Sequence, residues 1–387
     1  MPNASQTLKV LHIASGDLWA GAEVQLLTLA MKLHASPDTE VVVVLLNHGR
    51  LEEKLKEARI YVVVIDESNT GFFSLLVRLT RLARELDIDI IHTHRSKENI
   101  LGSIAALLAG NIPSVRTVHG APEHKPSISK PHKYLVNGLD NFCARHIQRM
   151  AVAVSNNLAE RLARTIPAEK LCVIENGIDL EEFITVRKTR LEHINKRPGE
   201  FRIGIAGRLT PVKRVDIFIR TADYIIKHHP ETPAAFHIYG DGPLRSDLEI
   251  LAQSLGISQQ VNFHGHRDDI REELATLDVL LMTSDHEGTP MVLLEALATG
   301  VDVIAHATGG IGEILNHGEC GVLVHEHTPQ GYAKEVIKLA ENTTDANGHR
   351  HRATCSSLED RFSAALNAAK YTRLYRDQAS TRTISTQ

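Results

Sequence analysis

At 387 residues the chain is too long for one core of ordinary size, so two domains are expected. Its composition is that of an ordinary globular protein, 43% hydrophobic and 23% charged with a net charge of −4, which argues against a nucleic-acid binder. Aromatic residues make up only 4%, too few for a base-stacking surface. Four dispersed cysteines (Cys143, Cys172, Cys320, Cys355) form no CxxC pair and read as thiols of a reducing compartment. The N-terminus lacks a basic region followed by a long apolar stretch, and no run of 18 apolar residues occurs. The expectation is a cytoplasmic protein.

In chain order, apolar β-branched runs predict strands at 8–14, 41–46, 61–65, 88–94, 113–120 and 150–155. A second series follows at 201–207, 234–240, 260–265, 278–284 and 301–307. Near-continuous apolar runs suit strands buried on both faces, and amphipathic stretches such as "EVQLLTLAMKLHA" separate them. This is βαβ alternation twice over, predicting an α/β chain of two doubly wound Rossmann-like domains. Residues 176–200 are polar and charge-rich and read as the interdomain connection, with room for a short helix. The tail 356–378 has a helical pattern and frays after about Ala379.

Ligands of such sheets bind at the carboxyl ends of strands, so the loops there carry the candidates. "ASGDLWAGAEVQLL" offers Gly16 and Gly21 before a helix N-terminus; ligand contact and turn chemistry both fit it. "GIAGRLTPVKRVD" places Arg208, Lys213 and Arg214 where a phosphate would sit, against the alternative of a solvated basic turn. In "SDHEGTPMVLLEALATG", Thr289 reads as the N-cap, Pro290 as the first helical residue and Gly300 as the terminator. That start leaves the N–H groups of Gly288 and Thr289 open to an anion. Glu287 lies on the loop before the helix. Glu295 lies on the helix among apolar neighbours, where a carboxylate seldom stays unpaired. "ATGGIGEIL" opens another helix on Gly309, Gly310 and Gly312. His94 and His119 end strands of the first half; among 22 histidines most are structural, and these two have the position of ligand contacts.

The ordered set "GDLWAGAEVQLL", "VAVSNNLAERL", "VIENGIDLEEF", "GRLTPVKRVD", "YGDGPLRSDLE", "VNFHGHRDDI" and "EGTPMVLLEALATG" resembles the retaining glycosyltransferases of family 4 over nearly the whole chain. Ala20 stands where that family has the first Gly of a Gly-Gly-Ala-Glu opening. The resemblance implies a GT-B fold: two facing Rossmann-like domains with a cleft between them, 1–180 on the acceptor side and 181–359 on the donor side. A C-terminal helix at about 360–378 would cross back to the first.

The resemblance also implies roles. Glu287 would contact donor-sugar hydroxyls, Glu295 the ribose, and Arg208 with Lys213 the diphosphate, helped by N–H groups near Thr289 and Gly21. His119 would orient the donor sugar or shape the acceptor side, and backbone around His266 in "HGHR" would meet the base. Acceptor-only carboxylates reading hydroxyls while cations read phosphate is a sensible division of labour. The expected reaction is metal-independent transfer from a nucleotide-sugar, UDP favoured, to a glycan or lipid-linked acceptor in polysaccharide or lipopolysaccharide synthesis. A 2-epimerase of the same fold and a silent nucleotide-sugar-binding subunit are the rival readings. The basic stretch 112–170, with nine Lys/Arg against four acidic residues, suits either a solvated face or an anionic membrane surface.

Overall fold

The structure is a computed structural model that describes residues 7–120, 131–195, 200–342, 355 and 358–384. It divides into two compact units, Met1–Gly177 with Ala364–Gln387, and Ile178–Ser363.

The first unit holds a seven-stranded parallel sheet of β1 (Leu8–Ala14), β2 (Thr39–Leu45), β3 (Tyr61–Val64), β4 (Ile90–Thr93), β5 (Ser114–Val118), β6 (Met150–Ala153) and β7 (Leu171–Val173). Its order is β3-β2-β1-β4-β5-β6-β7, so the chain reverses direction across the sheet between β1 and β4. The apolar runs behave as periodicity demands: Val10, Leu11 and Ile13 are wholly buried because helices cover both faces. One face packs against the helix Gly21–His34 and the C-terminal helix Ala364–Ile384 through Leu26, Leu29, Tyr371 and Tyr375. Gln25 on the first of these helices donates to Asn367 on the second at 3.1 Å, which ties the tail to this unit. The tail helix continues to Ile384, beyond the Ala379 at which the sequence suggested fraying.

The second unit holds six parallel strands, β8 (Phe201–Ala206), β9 (Ala234–Tyr239), β10 (Val261–Gly265), β11 (Val279–Met282), β12 (Asp302–His306) and β13 (Val322–Val324), in the order β10-β9-β8-β11-β12-β13. Here the reversal lies between β8 and β11. The edge strands β7 and β13 were not legible in the sequence; at three residues each they are too short to show a period.

Two expectations are corrected. The stretch read as a connection is the 15-residue helix Glu181–Asn195, an integral part of the second unit, where Arg190 donates to the carbonyl of Leu277 at 3.0 Å. Its charge masked it, since a helix lying on a unit's surface needs only a narrow apolar stripe. The cysteines are not all free: Cys320 and Cys355 form a disulfide with their Cα atoms 4.8 Å apart. Thirty-five residues separate them in sequence, so spacing gave no hint, and the pairing removes the cysteine argument for a reducing compartment. Among the described residues no helix is long and apolar enough to cross a membrane.

Candidate functional site

Most of the candidate residues lie near the reversal points of the two sheets, where adjacent strands send their following helices to opposite faces and leave a crevice. In the second unit the loops after β8 and β11 flank that point. They carry Gly207–Lys213 and Thr283–Glu287 and border a small solvent-open pocket lined by Gly207, Arg208, Lys213, Tyr239, Ser284 and Glu287.

Within the pocket the Lys213 ammonium lies 2.6 Å from Glu287 Oε1, and the Ser284 hydroxyl donates to the same oxygen at 2.7 Å. Both charged side chains are mostly buried, 24% and 10% exposed, so the pair is held rather than floating. The loop bearing Glu287 is fixed from behind by the glycine turn after β12. Gly310 donates to the Glu287 carbonyl at 3.1 Å, and a Cβ on Gly309, whose φ is +57°, would lie 1.9 Å from that oxygen. Close approach thus explains one of the three glycines at 309–312 without a ligand.

Arg208 is exposed beside this pair. Arg214 is not part of it: at a left-handed φ of +48° its guanidinium turns to Asp216 at 3.0 Å and Asp285 at 3.3 Å. Of the three cations of this loop, only Arg208 and Lys213 line the pocket.

The helix after Glu287 runs Met291–Thr299 and ends on Gly300 at φ +79°. Its cap is Pro290, at ψ +123°, rather than Thr289, which moves the start one residue along. The open first-turn N–H groups therefore begin at Met291, while Gly288, Thr289 and Pro290 are buried. Glu295 is half-buried on this helix and no hydrogen bond holds its carboxylate among the described residues. Desolvation pushes its pKa up to about 7; Asp269 adds to the shift and Arg271 opposes it. His266, on the loop after β10, is half-exposed and lies 3.4 Å from Asp268. Behind it His264 accepts or donates at 2.9 Å to His237 and stacks on Tyr239, so "HGHR" is a shaped turn.

In the first unit the loops after β1, β4 and β5 carry Gly16, Gly21, His94 and His119. Gly16 has φ +85°, and a Cβ there would be 2.8 Å from the Asn47 carbonyl, so the turn itself requires glycine. Gly21 opens its helix after an extended Ala20 with no side-chain cap. Arg95 pairs with the buried Glu23 of that helix. His94 hydrogen-bonds to His12 at 3.2 Å and to His119 at 3.1 Å.

His12 and His92 were missed in the sequence. The signal was there: parallel pairing puts His12 opposite His92, with His94 two residues on and so on the same face.

The basic stretch is only partly a surface. Arg116 is buried in a two-pronged pair with Asp140 at 2.9 Å, so neither contributes to an outer patch. Glu123, Lys125 and Lys130 lie outside the described residues.

Comparison with known proteins agrees with this layout. Residues 19–182 match Glycosyltransferase Family 4, and residues 200–342 match Glycosyl transferases group 1. The chain is 30% identical over 273 residues to the UDP-Gal:alpha-D-GlcNAc-diphosphoundecaprenol alpha-1,3-galactosyltransferase of Escherichia coli, covering 69% of this chain and 70% of that one. Over 313 residues it is 26% identical to the N-acetyl-alpha-D-glucosaminyl L-malate synthase of Bacillus anthracis, covering 79% and 78%. The crystal structure of Anabaena HepE in complex with UDP-glucose shares the fold, with a TM-score of 0.80, 22% identity and coverage of 96% of this chain and 100% of that one. With both halves matched, and a galactosyltransferase similar over most of its length, the chain belongs to glycosyltransferase family 4 and is a glycosyl-transferring enzyme of GT-B fold.

Proposed function

We propose that the protein is a retaining transferase that moves a sugar from a UDP-sugar to a hydroxyl of a glycan or lipid-linked acceptor in cell-envelope polysaccharide or lipopolysaccharide synthesis. The observation that carries the reading is the pocket at the β8/β11 reversal. It sets an ammonium and a carboxylate side by side, with an exposed Arg208 next to them. Cations there suit a diphosphate and acceptor-only carboxylates suit hydroxyls. The name of the E. coli relative, which prints a UDP-sugar donor and a diphosphoundecaprenol-linked acceptor, supports the substrate class.

In this reading Lys213 and Arg208 stabilise the charge that grows on the departing diphosphate as the anomeric bond breaks. Glu287 holds donor-sugar hydroxyls beside the reaction centre and Glu295 accepts from the ribose. Gly288, Thr289 and Pro290 lead from Glu287 into the helix that begins at Met291.

Thermal shift against UDP, GDP, ADP and dTDP, each with and without Mg²⁺, tests the donor side. UDP at about 100 times its Kd adds roughly 2.7 kcal/mol of stability. The expected result is stabilisation by UDP alone, much reduced in Glu295→Ala. Equal shifts in wild type and variant refute the ribose role, and no shift from any nucleotide refutes the donor site.

The acceptor side of the proposal includes peripheral contact with anionic membrane. Its support is the helix Pro131–Phe142, which exposes Leu135, Leu139 and Phe142, followed by Arg145 and Arg149. Co-sedimentation with vesicles containing an anionic phospholipid is expected at low salt and lost in Leu135→Glu/Phe142→Glu. Recovery of wild type in the supernatant refutes it.

A further inference from the structure

The loop that carries Glu287 lies between the turn bearing Lys213 and a segment after β12, the strand beside β11 on the side opposite β8. Three of its carbonyls accept from that segment. Ser284 accepts from the His306 ring at 2.8 Å, Asp285 from the Thr308 hydroxyl at 2.9 Å, and Glu287 from the Gly310 N–H at 3.1 Å. The His306 ring is itself set by a second imidazole. It stacks on His327 with ring centroids 3.8 Å apart and planes 9° from parallel. His327 follows β13 and is tied at both nitrogens: Nε2 meets Asp285 Oδ1 at 3.2 Å, and Nδ1 meets the hydroxyl of the wholly buried Tyr332 at 3.0 Å. Arg214 reaches the same Asp285 oxygen from the β8 side at 3.3 Å.

These partners fix where the protons sit. A carbonyl oxygen only accepts, so His306 carries a hydrogen on Nδ1. An ionised carboxylate only accepts, so His327 carries one on Nε2, and its bare Nδ1 accepts from Tyr332. Neutral rings therefore satisfy every one of these bonds, whereas two imidazolium ions face to face would repel. Burial lowers the pKa of His327; His306 and Arg214 push the same way and Asp285 opposes them. A ring held by one hydrogen bond can still swing about its broad χ2 well. Stacked on a ring pinned at both nitrogens, His306 loses that freedom. The chain of contacts ends in the pocket, where the Ser284 hydroxyl donates to Glu287 Oε1 at 2.7 Å, the oxygen that Lys213 also meets.

We propose that His306 and His327 are positioning residues for the Glu287 carboxylate, acting through Ser284 rather than on a ligand. His327, held by Asp285 and Tyr332, fixes the plane of His306. His306 holds the Ser284 carbonyl, and Ser284 in turn keeps Glu287 against Lys213 in the pocket. Every residue of this relay belongs to the second unit. The part that Glu287 plays in transfer rests on the function proposed above, though the arrangement itself does not.

Long-range ¹⁵N–¹H NMR of the full chain with ring-labelled histidine reads both rings directly. Signals are assigned by their loss in His306→Asn and His327→Gln. The expected result is a proton on Nδ1 of His306, where a free imidazole favours Nε2, and on Nε2 of His327. A His306 with no proton on Nδ1, or a His327 with none on Nε2, overturns the proposal. Turnover is read as hydrolysis of UDP-glucose, UDP-galactose or UDP-N-acetylglucosamine in water, and UDP affinity by calorimetric titration. His306→Leu is expected to lower kcat about tenfold to a hundredfold while UDP binds as tightly as to wild type. His306→Asn is expected to recover most of that loss, since its amide N–H donates to the same carbonyl. His327→Gln outperforms His327→Leu for the same reason at Asp285. In the Glu287→Gln background His306→Leu costs little more, because the carboxylate it positions is gone. Additive losses in that double variant, a parallel loss of UDP affinity, or an Asn no better than the Leu would overturn the proposal and make His306 a packing residue. Where His306→Leu does not fold, the two His327 variants decide by the same comparison. A wild type that turns over no UDP-sugar refutes the transfer reading instead, and the two rings are read regardless.

Discussion

Glu287→Gln is expected to separate binding from turnover: kcat falls by about 10²–10³ while UDP binds as tightly or more tightly than to wild type. The argument starts from the 2.6 Å contact between Lys213 and Glu287. The carboxylate neutralises the ammonium that a diphosphate would need. Removing its charge while keeping its shape frees Lys213 for phosphate and removes one repulsion. The same change takes away the acceptor-only group proposed to hold the donor sugar, and Gln presents an N–H donor in its place. Lys213→Met should behave oppositely, weakening UDP binding and turnover together. Calorimetric titration with UDP and initial rates on the UDP-sugar accepted by wild type check both. Parallel losses of affinity and kcat in Glu287→Gln would mean that the carboxylate only holds the loop.

The second large effect is acid destabilisation of the first unit. His12, His92, His94 and His119 are neutral in the folded chain because burial lowers their pKa values, to about 3 for His12 and about 4 for His119. The unfolded chain takes up these protons near 6.5, so it binds more protons than the folded chain below that pH. Stability is therefore full above 6.5 and is lost as pH falls toward about 4. For His119 the difference, from 6.5 to about 4, is worth on the order of 3 kcal/mol. Glu295 has the opposite sign: raised from 4.5 to about 7, it favours the folded second unit below 4.5 and loses that contribution as pH rises through about 7.

Trp19 is the single tryptophan, packed partly buried against the core of the first unit, so its fluorescence follows that unit alone. Its unfolding midpoint is expected to drop steeply between pH 6.5 and 4, and less steeply in His119→Asn. A midpoint indifferent to pH across that range would show that the cluster is protonated, or hydrated, in the folded state.

These expectations were unequally visible in the residues. The apolar β-branched runs located β1 and β8 to within a residue, because a strand covered on both faces leaves no polar period to misread. That Arg208, Lys213 and Glu287 line one pocket agrees with the loops from which they were read; Glu295 does not line it. The fate of Arg214 was not: it adjoins Lys213 in sequence, and only its left-handed backbone sends it to Asp216 and Asp285. The helix Glu181–Asn195 was hidden by its charge, and the one-residue shift at Pro290 by a local φ/ψ choice that a threonine-proline pair leaves open.

What the sequence determined by itself was the architecture of two parallel-sheet units and the chemical type of the second unit's pocket, since periodicity and loop composition are local properties. What only the tertiary structure decided was which side chains meet. Lys213 reaches Glu287, 74 residues away, because β8 and β11 are neighbours across the sheet's reversal. His12 reaches His94, 82 residues away, because β1 lies beside β4. Cys320 reaches Cys355 across 35 residues. Strand order is a long-range property: it follows from how whole helices cover two faces of a sheet, and no short stretch of residues encodes it.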